Sequence, residues 1–218
     1  MRRQHYPGRS KEKISRPWCH AGLKAACACI ATLTTFSLQA ETLPGGWQLR
    51  STDILWQAIP QFTPPDTAYL VRNTVSPTSW GLLSKGPTGK PRALYTIPNG
   101  TALPGGWVMG DDKPLVAGDF NGDARGDILI SSHWGIGILT EGAPHGLKTI
   151  ALEQFGKHLN GTQFGNALTW NLGLHDTHRV ADFNKDGKSD LLVQSGWGIG
   201  VLTMAPDKTL TATQMAAF

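Results

Sequence analysis

Between residues 41 and 218, short apolar runs alternate with clusters of Gly, Asn, Asp and Pro, and no helical period of apolar positions persists. Runs such as Ile128-Leu129-Ile130 and Ile136-Gly137-Ile138-Leu139 are bounded on both sides by turn formers. They predict strands of about four or five residues joined by tight turns, and therefore an all-β chain.

The pattern also repeats. Residues 115–142 match residues 179–205 almost without gaps: Asp119 pairs with Asp182, Trp134 with Trp197 and Gly137 with Gly200, each 63 residues apart. Trp107 and Trp170 extend the register upstream at the same spacing. A decayed copy precedes them, because Leu43-Pro44-Gly45-Gly46-Trp47 recurs as Leu103-Pro104-Gly105-Gly106-Trp107 and residues 81–86 echo residues 137–142. Residues 41–218 thus read as one domain of about three units of roughly 60 residues, at about 43–102 (degenerate), 103–165 and 166–218. Residues 207–218 match only the start of the stretch that follows Gly142, so the third unit reads as truncated. Four such strands per unit predict β-propeller-type blades in an incomplete or partial propeller.

Charge changes the picture through its location. The net +4 suggests a nucleic-acid partner, yet residues 1–40 hold seven basic side chains against Glu12, a net +6, leaving −2 for residues 41–218. No nucleic-acid binding is expected. The basic stretch leads into an apolar run, Ala25 to Phe36, and then to Ala40 before Glu41. A bilayer-spanning helix needs about 20 apolar residues, so residues 1–40 read as a signal peptide and the mature chain as secreted, periplasmic or extracellular, with no membrane span. Cys19, Cys27 and Cys29 all fall in this segment. The mature chain has no disulfides, which makes bound metal the candidate for stabilising its loops.

Each strong repeat carries a loop with oxygen-bearing side chains at alternate positions: Asp119, Asn121, Asp123 and Asp127 in one, Asp182, Asn184, Asp186 and Asp190 in the other. Calcium takes six to eight oxygens, and a curled loop with donors at positions 1, 3, 5 and 9 can surround it, with the carbonyl of Arg125 or Lys188 serving at position 7. A purely oxygen set argues against zinc and copper. Ile130 and Val193 stand at position 12, where an EF-hand has a bidentate Glu, so these are not EF-hands. Asp, Asn and Gly also dominate ordinary turns; the same donor spacing found twice, in register with the repeat, favours metal. Position 6 of such a loop prefers Gly, which Gly187 supplies and Ala124 does not. In the degenerate unit Gln61, Thr63 and Pro65 occupy the first three donor positions, and metal binding is expected to be lost.

The run Asp-Phe-Asn-x-Asp-x-x-x-Asp, followed by an apolar strand and a Gly-rich strand, resembles the FG-GAP/VCBS-type repeat. That family is similar to the calcium-binding blades of integrin α-subunit propellers and of some fungal lectins. The resemblance covers residues 103–205 well and residues 43–86 weakly. It implies a β-propeller with Ca2+ in hairpin loops on one face, and roles in adhesion, carbohydrate binding or protein association. Carried over residue by residue, it gives the ligand role to Asp119, Asn121, Asp123 and Asp127, and to Asp182, Asn184, Asp186 and Asp190. Blades of such propellers number four or more, whereas this chain has three, so either copies assemble as a homo-oligomer to close the ring or the chain is a piece of a longer protein.

Other motifs add less. Arg125-Gly126-Asp127 spells an adhesion tripeptide, but Asp127 as a ligand would turn its carboxylate into the loop. Trp47, Trp107, Trp134, Trp170 and Trp197 read as packing between blades, with stacking on sugar rings the alternative for Trp134 and Trp197. Catalytic motifs are missing from the sequence, and His133, His145, His158, His175 and His178 lack zinc spacing. The expectation is a non-enzymatic calcium-binding module with a glycan or protein partner at a cell surface. Its alternatives are a structural accessory or fragment of a larger exported protein and, third, a secreted enzyme.

Overall fold

The computed structural model describes residues 41–63, 66–86, 88–163 and 166–218. The signal-peptide reading, the three cysteines and Pro65 lie outside the described residues. Within them the chain is all-β without a helix, and no helix is long and apolar enough to cross a membrane.

A two-stranded ribbon of β1 (Glu41–Thr42) and β2 (Gln48–Leu49) precedes three sheets. The first is a meander of β3 (Ile54–Thr63), β4 (Asp66–Asn73), β5 (Ser79–Lys85) and β6 (Pro91–Pro98). The second repeats that order with β7 (Lys113–Gly118), β8 (Asp127–Ser131), β9 (Gly135–Gly142) and β10 (Gly146–Gln154). The third is led by the hairpin β11 (His158–Gln163) and β12 (Asn166–Asn171), then continues with β13 (Thr177–Ala181), β14 (Asp190–Gln194), β15 (Gly198–Met204) and β16 (Leu210–Ala217). Its order is β12-β11-β16-β15-β14-β13, with β11 pairing parallel to β16 through Gly161 and Ala212. Residues 207–218, read from sequence as only the opening of a unit's closing stretch, supply in β16 the strand that lies between β11 and β15 in this six-stranded sheet. No closed barrel or closed ring of sheets forms among the described residues.

Several strands outrun the apolar runs that predicted them: β3 has ten residues and β10 nine. Apolar side chains mark only the buried segment of such a strand, whereas backbone pairing continues through exposed polar positions such as Lys148.

Each sheet is tied to the segment before it. The Pro44 carbonyl accepts the Ala93 amide of β6, and the Pro104 carbonyl accepts the Thr149 amide of β10, both at 2.7 Å. Both contacts fall beside a bulge in the outermost strand. The tryptophan that follows lays its indole on the third strand. A Cβ built on Gly81, Gly137 or Gly200 would lie 2.6–2.7 Å from the ring of Trp47, Trp107 or Trp170, so only glycine fits beneath it.

Two buried clusters join neighbouring sheets. Phe62, Leu70 and Leu82 of the first pack with Ile128, Ile130 and Leu139 of the second. Phe120, Leu129 and Ile138 of the second pack with Leu191, Val193 and Leu202 of the third. Because side chains alternate across a strand, Ile128 and Leu129 serve opposite interfaces, and the second sheet is buried on both faces. The first strands adjoin, β7 lying between β3 and β13.

Candidate metal loops

The two oxygen-rich loops link β7 to β8 and β13 to β14, the first two strands of their sheets. Their internal hydrogen bonds follow one plan. Asp119 Oδ1 accepts the amides of Gly122 (2.7 Å) and Asp123 (3.1 Å), and its Oδ2 accepts that of Ala124 (2.8 Å). Correspondingly, Asp182 Oδ1 accepts the Asp186 amide (3.1 Å) and its Oδ2 the Gly187 amide (3.0 Å). Asn121 and Asn184 accept the amides of Asp123 and Asp186 at 2.8 and 2.9 Å. Asp123 and Asp186 accept those of Arg125 and Lys188, both at 2.9 Å. Position 1 thereby curls the chain, and positions 3 and 5 hold the curl in each of the two short loops.

Two backbone positions in each loop are left-handed, and glycine is shared between them in complementary fashion. Position 4 is Gly122 (φ 78°) in the first loop but Lys185 (φ 63°) in the second. At position 6 stand Ala124 (φ 63°) and Gly187 (φ 84°). Gly was expected at position 6 alone; each loop instead carries one unstrained and one strained residue.

Position 9 is the deepest. Asp127 and Asp190 are both buried, and their Oδ2 atoms accept the amides of Phe120 and Phe183 at 2.9 Å. Asp127 Oδ1 is buried without a hydrogen-bond partner. Burial drives the Asp127 carboxyl up to about 7; the Thr140 hydroxyl and Phe120 amide pull the other way, and the charges of Asp123 and Asp119 add to the rise. Asp190 is raised for the same leading reason. In the first sheet the pairing of β4 with β5 sets Tyr69 opposite Leu83, as β8 and β9 set Ile128 opposite Leu139 and β14 and β15 set Leu191 opposite Leu202, and Ala68 immediately precedes Tyr69. The register thus aligns Ala68 with Asp127 and Asp190, so the degenerate unit has no acid at this depth.

No family model, curated protein or solved structure matches this chain.

The donor set suits a hard cation: three carboxylates, one amide oxygen and one backbone carbonyl per loop, with a buried carboxylate oxygen unpartnered in the first. Among the described residues, no three His, Cys, Asp or Glu side chains stand gathered as a ligating group. The carboxylates at positions 1 and 5 are turned to loop amides instead.

The adhesion tripeptide is not presented for docking. Asp127 is buried, Arg125 pairs with Glu141, and Gly126 abuts the backbone of Pro60.

Trp107 and Trp170 lie in the buried clusters that join neighbouring sheets. Trp134 lies on Trp107 with ring centroids 4.9 Å apart, and Trp197 on Trp170 at 4.4 Å. Sequence reading missed the partners of the buried ones: the indoles of Trp47, Trp107 and Trp170 donate to Asp53 (2.9 Å), Asp112 (3.2 Å) and Asp176 (3.4 Å). Each of these carboxylates also accepts a backbone amide, from Arg50, Gly110 or Gly173. An Asp five or six residues after each repeated Trp was the available signal.

Away from the loops, a polar cleft of about 550 Å³ is lined by His133, His175 and His178 with Asp111 and Asp176. Its acids are already engaged, Asp111 with Arg72 and Asp176 with Trp170. His178 Nε2 is buried without a partner, and burial lowers its pKa to about 4.

Proposed function

We propose that this protein is a secreted calcium-binding module of FG-GAP/VCBS-like β-propeller blades, without enzymatic activity, that presents a rigid surface to a glycan or protein at a cell surface. The observation that carries this reading is the duplicated loop: two stretches 63 residues apart in sequence share donor spacing, hydrogen-bond plan and a buried position-9 carboxylate. Asp119, Asn121, Asp123, Asp127 and the Arg125 carbonyl would hold one ion. Asp182, Asn184, Asp186, Asp190 and the Lys188 carbonyl would hold the other. When bound, calcium supplies positive charge to carboxylates that burial disfavours, and fastens the loop to the start of the following strand. The blade reading is supported by the three sequential meanders and by the adjoining first strands.

Melting the protein in calcium and in chelator tests the central claim. Saturating calcium should raise Tm by about 5 °C or more, with two ions bound per chain by calorimetry. Unchanged melting in chelator, with no heat of binding, sinks the proposal.

A further inference from the structure

The outermost faces of the array are the two halves of an interface that the chain already makes twice. On the second sheet, the face turned to the third carries Phe120, Leu129, Ile136 and Ile138, all buried. Their counterparts on the third sheet, 63 residues on, are Phe183, Leu192, Ile199 and Val201. Among the described residues no further sheet covers these. Phe183 is 40 % exposed where Phe120 is 1 % and Phe62 0 %, and Leu192 and Ile199 are only half-buried.

The opposite end shows the complementary half. The second sheet meets the first through Ile128, Ile130 and Leu139, all fully buried. By strand register their counterparts on the first sheet are Tyr69, Val71 and Leu83. Tyr69 is 39 % and Leu55 64 % exposed, and they line an open apolar groove of about 420 Å³ together with Val71 and Leu83, which are buried against Leu43 and Trp47.

We infer that a second copy of this chain covers both faces, the third sheet of each copy packing on the first sheet of the other, head to tail, at two equivalent junctions. Continuity with the two junctions inside the chain points to this partner. Each free face repeats, position for position, the side of an intrachain junction whose partner it lacks. Two chains bring six sheets, within the four to eight of closed propellers, and a heterologous contact that closes leaves no face free. The inference rests on the blade reading of the sheets and not on calcium.

Sedimentation of the protein, in calcium and in chelator, decides the matter together with two charge substitutions. The protein should run at twice the mass of its single chain. Leu192→Glu and Tyr69→Glu, at partly exposed positions on opposite ends, should each weaken self-association by about a hundredfold or more, since both junctions are lost. Mixing the two variants should restore pairing through one unmutated junction. That complementation is the signature of head-to-tail contact, because a face-to-face dimer would lose rather than regain its contact. A monomeric parent, a dimer indifferent to either substitution, an open-ended series of larger species or failure of the mixture to pair overturns the inference. Dimerisation without a calcium response would leave it standing while the proposed metal role falls.

Discussion

The loops at 119–127 and 182–190 have the same donors and the same internal hydrogen bonds but different surroundings. The first is held between neighbours: Gly126 abuts Pro60 of the first sheet, and the Asp119 carbonyl accepts the Ser189 amide of the third at 2.6 Å. Among the described residues no further sheet packs on the second loop, and Phe183 stands half in solvent where Phe120 is sealed. The cost of burying a carboxylate is therefore set by the adjoining sheet as much as by the loop that carries it.

Removing the buried charge should break the equivalence most strongly. Asp127→Asn should abolish the proposed calcium binding at the first loop. In chelator at neutral pH the same change should stabilise the protein by ~1–3 kcal/mol, because a carboxyl that burial drives up to about 7 no longer has to be held ionised or take up a proton on folding. Asp190→Asn should show the same reversal at smaller amplitude. Paired melts of both variants, with and without calcium, check this; equal amplitudes would mean that the neighbouring sheet plays no part.

A second contrast lies on the strands that lead into the loops. By register, His178 of β13 occupies the place of Pro114 in β7 and Leu55 in β3. Its folded pKa of about 4 lies below the ordinary 6.5, so between those values the unfolded chain binds a proton that the folded chain refuses. This contribution is complete above about pH 6.5 and is lost as pH falls toward about 4, reaching ~3 kcal/mol. His178→Leu should remove that acid sensitivity, read as the difference between the two proteins' unfolding free energies across pH 4–7. A pH-independent difference would show that the histidine does not titrate as its burial requires.

The smallest effect belongs to the crossed glycine positions. Ala124→Gly and Lys185→Gly should each add ~0.5–1 kcal/mol by relieving a left-handed residue. Denaturant melts of the single and double variants test this, and a loss of stability in either would show that the strained residue is favoured by a contact instead.

The donor residues and the strand-and-turn alternation were legible in the sequence because they repeat at fixed spacing. What escaped depends on distant neighbours or on shifting spacing. Asp53, Asp112 and Asp176 look like any turn aspartate, and their distance from the tryptophan varies between five and six residues. Phe120 and Phe183 are the same residue in the same motif, yet one is core and the other surface. Nor does sequence show that Trp134 and Trp197 rest on the indoles of Trp107 and Trp170.

The tie between each tryptophan-bearing turn and its own outermost strand also bears on the order of folding. The first and second sheets each draw all four strands, and the turn that fastens them, from one uninterrupted stretch. Pairing between neighbouring segments has little chain to close, so the first sheet can be complete while the residues of the third are still being synthesised. The junctions then form in sequence, and the last surface to be offered is the one around Phe183.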